Sequence, residues 1–191
     1  EFEEAIPYIS TSISLTDMTS TALKLRNIAM MFLPSLSGES FSEIGLYEVT
    51  TSQHPMQGGT MSCTYPSNIE DSKKFPLLSF EHGDFGGGEF FMGYKQFMTK
   101  IASAGFVICA PLMCPFPTPA CRAEQHIHQL DAITAGKALG NTGVLPVRRD
   151  GGVGVIGHST GGMTTLKCST SENVNQYNIA ASVMYNGDGG D

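Results

Sequence analysis

Apolar positions fall into two patterns along the chain. Between residues 15 and 33 they recur at Leu15, Met18, Ala22, Leu25, Ile28, Ala29 and Phe32, the period of one helix face. Asp17 lies near the start of this stretch, and Pro34 with Gly38 end it. From Gly45 the spacing shortens. Residues 46–51 and 59–65 alternate weakly around H-P-M-Q-G-G, a hairpin signal. Segments 75–80, 106–110 and 153–156 are short apolar runs of the buried-strand kind, and 179–185 is a further strand. Helical spacing separates them: Phe90, Tyr94, Phe97, Met98 and Ile101 before Gly105, then Ile127, Leu130, Ile133, Thr134 and Ala138, then a helix opening after Ser159. Alternating strands and helices predict an α/β fold, a mostly parallel sheet with helices on both faces. Residues 1–40 read as an N-terminal extension with an amphipathic helix, and 41–191 as one domain without repeats or an internal linker. The extension helix is expected to cover a core edge, or to dock on a protein partner or membrane surface.

The sharpest chemical feature is Gly157-His158-Ser159-Thr160-Gly161, a G-x-S-x-G between a buried strand and a helix. A serine on so tight a turn has a strained backbone and a raised hydroxyl, and the flanking glycines let neighbouring chain pass close. The helix behind it presents N–H groups and a positive dipole end. Ser159 is therefore the candidate nucleophile, and the Thr160 N–H a candidate oxyanion donor. The competing reading is a glycine-rich turn in which Ser159 only caps the helix. A second strand-to-helix loop, F-E-H-G-D-F-G-G-G-E-F-F from Phe80 to Phe91, is expected to give the other donor: the Asp84 N–H, or that of Phe85 if the loop turns one residue later. Its phenylalanines, Phe85, Phe90 and Phe91, line an apolar substrate pocket or begin the buried face of the next helix.

The segments "GLYEV", "FPLLSFEHGDFGGG", "IASAGFVICAPL" and "GVIGHSTGG" together resemble the α/β-hydrolase superfamily from about Gly45 to Asp191. Within it the chain is similar to the branch of chlorophyllases, dienelactone hydrolases, cutinase-like polyester hydrolases and platelet-activating-factor acetylhydrolases. That resemblance implies a serine that attacks an ester carbonyl and forms an acyl-enzyme, with a histidine moving the proton and an acid orienting it. The aromatic loop beside the site points to an apolar ester as substrate, and no metal or organic cofactor is implied.

The triad departs from the family pattern. The order on this fold is nucleophile, acid, histidine. Ser159 is followed by 32 residues in a chain of 191, and no histidine is among them. The five histidines are His54, His82, His126, His128 and His158. His82 is the nearest stand-in for a base, His158 should project away, and His126 with His128 read as solvated helix surface. Asp188 lies where some members of the superfamily carry the acid, in a polar loop N-G-D-G-G-D. The base and acid are expected on a C-terminal segment outside these residues, with little activity from this chain alone and a sheet edge left open after Tyr185. The rival reading is a non-catalytic subunit of a larger assembly, and a weaker one a serine peptidase.

Composition narrows the partners. With 11 basic and 18 acidic residues the net charge is −7, and no Lys/Arg run exists, which argues against nucleic acid and anionic membranes. No apolar stretch approaches the ~18 residues of a spanning helix. Of five cysteines, Cys114 and Cys121 bracket a proline-rich C-P-F-P-T-P-A-C, which reads as a small disulfide loop or as two free thiols. The disulfide would favour an oxidising compartment. G-V-G-V-I-G at 152–157 matches a dinucleotide fingerprint only in letters, because its glycines precede and enter the strand instead of following it.

Overall fold

In the computed structural model, residues 45–83, 92–112, 124–134, 145–148 and 152–185 are described. The extension helix, Asp84, the phenylalanines of the loop, Cys114 with Cys121, and Asp188 all lie outside the described residues. Six strands form one sheet: β1 (Val49–Met56), β2 (Gly59–Pro66), β3 (Leu77–Glu81), β4 (Val107–Pro111), β5 (Val153–His158) and β6 (Ile179–Tyr185). Four helices accompany them: α1 (Met92–Ser103), α2 (Gln125–Thr134), α3 (Thr160–Cys168) and α4 (Ser171–Tyr177). The spatial order is β1-β2-β4-β3-β5-β6. β1, β2 and β4 pair antiparallel, while β4, β3, β5 and β6 run parallel.

β3, β4 and β5 are buried along nearly their whole length, which is why they read as near-continuous apolar runs. Successive residues serve opposite faces. On β3 and β4, Leu77, Val107 and Cys109 join the core under α2, α3 and α4, with Leu130, Cys168 and Tyr177. Leu78, Phe80, Ile108 and Ala110 join a second core under α1, with Met98, Ile101 and Ala102. Helices on both faces thus bear out the expected α/β layering. α1 presents its predicted apolar stripe and ends at Gly105, whose φ of 94° is open to glycine without strain.

Three details differ from the sequence expectation. The hairpin turn is shorter than H-P-M-Q-G-G suggests: β1 continues through Met56, which pairs with Gly59. Pro55 is tolerated inside β1 because β1 is an edge strand. The short helix α4 was unread because its apolar content is slight. Its caps carry it instead: Asn173 N–H donates to Thr170 Oγ1 at 3.4 Å, and Asn178 ends it in the left-handed region. Finally, a disulfide joins Cys63 to Cys109, which face each other across β2 and β4. It closes a loop of 46 residues and by chain entropy contributes about 2–4 kcal/mol. Paired strands in this register were needed to see it, since neither cysteine stands out in the linear pattern.

Candidate active site

β4 and β5 flank β3 on opposite sides, so the chain reverses its direction of travel across the sheet at β3. Crevices outside the C-terminal ends of parallel strands form at such switch points. Two loops leave the sheet there side by side. Glu81 at the end of β3 is in register with Gly157 near the end of β5, so His82-Gly83 and His158-Ser159 emerge together.

Ser159 has φ 55° and ψ −126°. A non-glycine residue there carries about 1–3 kcal/mol of strain and persists only where its surroundings fix it. Those surroundings are visible. A Cβ on Gly157 would strike the Gly161 carbonyl and Thr165 Oγ1, and one on Gly161 would strike the backbone carbonyls of Glu81 and His82. The first turn of α3 is thus pressed against the ends of β3 and β5, and the serine between has nowhere else to go. Gly162 N–H donates to the Ser159 carbonyl at 2.8 Å, while the Ser159 side chain makes no cap hydrogen bond. The helix-cap reading of Ser159 therefore fails. Its half-buried side chain hydrogen-bonds to no described residue. Thr160 opens α3, at the helix end where backbone N–H groups and the positive dipole end lie.

None of the five histidines bonds Ser159 Oγ. His158 Nδ1 lies 2.8 Å from the Tyr94 hydroxyl, so its ring is turned toward α1, and burial lowers its pKa. His82 is fully buried and its Nδ1–H donates to the Gly83 carbonyl at 2.8 Å. His54 bonds Ser52 Oγ on β1, and His128 pairs with Glu124 at 3.4 Å on α2.

His126 overturns the expectation of a solvated helix surface: it is fully buried between α2, β3 and α3. Thr165 Oγ1 donates to the Gly161 carbonyl at 3.1 Å, so it accepts from His126 Nε2–H at 2.9 Å. Nδ1 then accepts from Ser79 Oγ at 2.8 Å. Neutral His126 completes this chain, and burial holds its pKa at about 3. Gln125 and Gln129 flank it on the same buried face, with Gln129 Nε2–H donating to the Phe80 carbonyl at 3.3 Å. Turned so that its nitrogen faces Glu81, Gln125 donates to that buried carboxylate at 2.5 and 3.1 Å. Hydrophobic periodicity is blind to a helix face made of polar residues, and so it missed His126, Thr165 and Tyr94, the last of which it read as core alone.

The His126 shift has a testable sign. The unfolded chain takes up a proton below pH 6.5, whereas the folded protein does not until about pH 3. Its contribution is complete above pH 6.5 and erodes as pH falls toward 3, by up to about 1.4 kcal/mol per pH unit. Urea melts between pH 6.5 and 4.5 are expected to show a flatter decline in His126→Asn than in the wild type, starting from a lower stability at pH 7.

Among the described residues no group of His, Cys, Asp and Glu could hold a metal ion, and no helix is long and apolar enough to cross a membrane. Cys168, the free cysteine among the described residues, is buried, with its pKa raised to about 11, so its thiol is unreactive. Compared with known proteins, residues 42–185 match the family model described as Chlorophyllase. No curated protein matches the chain.

Proposed function

The chain belongs to the chlorophyllase family of esterase-type hydrolases, and from its elbow we propose a serine-dependent carboxylic ester hydrolase acting through an acyl-enzyme on Ser159. The observation that carries this reading is the strained backbone of Ser159, held by glycine packing against β3 with its side chain unused in capping. Ser159 Oγ attacks the ester carbonyl carbon, and its proton passes to a base. The carbonyl electron pair moves onto oxygen, which the N–H groups of Thr160 and Asp84 receive. The intermediate collapses, the alcohol leaves with the proton, and water releases the acid by the reverse of the same steps.

The base is none of the five histidines, since each is engaged away from Ser159. We place base and acid outside the described residues. Apolar esters suit the phenylalanines at 85, 90 and 91. A fluorophosphonate probe should label Ser159 in the full native polypeptide, as located by peptide mass mapping. Hydrolysis of p-nitrophenyl esters without cleavage of matched amides should accompany it. A folded, full-length sample that takes no label would make the chain a non-catalytic member of the family.

A further inference from the structure

We propose that Tyr94 is a positioning residue for this reaction, its hydroxyl tying the oxyanion loop to the nucleophile elbow. The proposal rests on the Ser159 reading and adds a residue to it. Tyr94 stands in the first turn of α1, half-buried over the ends of β3 and β5. Gly83 N–H donates to its hydroxyl at 3.1 Å, and the same oxygen lies 2.8 Å from His158 Nδ1. One atom thus connects the last residue before Asp84 with the last residue before Ser159. Whichever partner carries the shared proton, the two bonds fix both loops to one point on a helix.

The gap they span is narrow. A Cβ on Gly83 would come within 3.0 Å of both His158 Nδ1 and Ser159 Cβ. The ring is held as well: its centroid is 5.1 Å from that of Phe80 and 5.8 Å from that of His158, edge-on to the latter. Because the Gly83 amide is engaged by Tyr94, it leaves the oxyanion role to the amides the sequence offers next, that of Asp84 or of Phe85. An oxyanion hole works only if its two donors sit at the spacing the tetrahedral oxygen requires. Here the candidate oxyanion loop follows Gly83 and the elbow follows His158, so the Tyr94 oxygen holds the bases of both loops to one point without touching substrate.

The test uses the full native polypeptide and three variants, assayed on a p-nitrophenyl ester. Tyr94→Phe keeps the ring and removes the oxygen. It should lower kcat at least about 10-fold with KM within about 2-fold. Its affinity for a trifluoromethyl ketone, which forms a tetrahedral oxyanion on serine, should fall in parallel with kcat. His158→Ala cuts the tie from the other side and should reproduce the loss, and the double variant should be no worse than either single one. Wild-type kcat and ketone affinity in Tyr94→Phe, or losses that multiply in the double variant, would overturn the tie. Should Tyr94→Phe not fold, wild-type kcat and ketone affinity in His158→Ala would overturn it equally. Ser159→Ala separates the two levels: its inactivity beside a fully active Tyr94→Phe rejects only the tie, whereas its full activity rejects the nucleophile and the tie together.

Discussion

Ser159→Ala is expected to lower kcat of the full native polypeptide by about 10⁶-fold without lowering its melting temperature. Removal of the attacking oxygen leaves the oxyanion donors and binding contacts, which retain only a small residual rate. The stability half of the prediction comes from the backbone. Ser159 Oγ caps no helix and bonds no described residue, so its deletion breaks nothing in the fold. Ser159→Gly should be equally inactive and more stable, because glycine adopts φ 55° without the Cβ clash. Relief of about 1 kcal/mol would raise the melting temperature by roughly 2–4 °C in a domain of this size. Thermal melts followed by circular dichroism, beside ester assays, read both quantities. An inactive variant that is also much less stable would mean that Ser159 is structural.

Gly161→Ala should be strongly damaging for the addition of a single methyl group. The new Cβ would meet the backbone carbonyls of Glu81 and His82. Neither can rotate away, because Glu81 is paired in β3 and both residues are fully buried. The first turn of α3 must then lift off β3, opening the elbow and stretching the His126–Thr165–Gly161 chain. A cost of about 3 kcal/mol or more is expected, in the range of core overpacking, with loss of activity even where the protein remains folded. Gly93→Ala is the control: this exposed glycine in the first turn of α1 has nothing within 4 Å of a new Cβ. It should be neutral or stabilising by a few tenths to about 1 kcal/mol. Urea unfolding of the two variants beside the wild type measures the difference.

Much of this fold could be read from the linear pattern because its central strands are buried on both faces. Segments 75–80, 106–110 and 153–156 each emerged within a residue or two of a strand, as largely apolar runs do when helices cover both sides of a sheet, and 179–185 did so at the sheet edge, where Ala180 and Ser182 are exposed. The elbow was legible for a different reason: glycines at 157 and 161 leave a mark in sequence wherever backbone must meet backbone. What stayed hidden depends on partners far apart in the chain. Cys63 and Cys109 become a disulfide only once β2 and β4 pair. His126 becomes a buried neutral group only once Ser79 and Thr165 face it from β3 and α3. Tyr94 fits the apolar stripe of α1 as well as a phenylalanine would, and its hydroxyl gains meaning only from Gly83 and His158.

The most direct measurement is to trap the intermediate itself. The full native polypeptide, mixed with p-nitrophenyl acetate and quenched in acid within the first turnover, should carry one acetyl group on the peptide that contains Ser159. The adduct should disappear as hydrolysis completes. Steady ester turnover with that peptide unmodified, or with the acetyl group on another residue, would contradict the account.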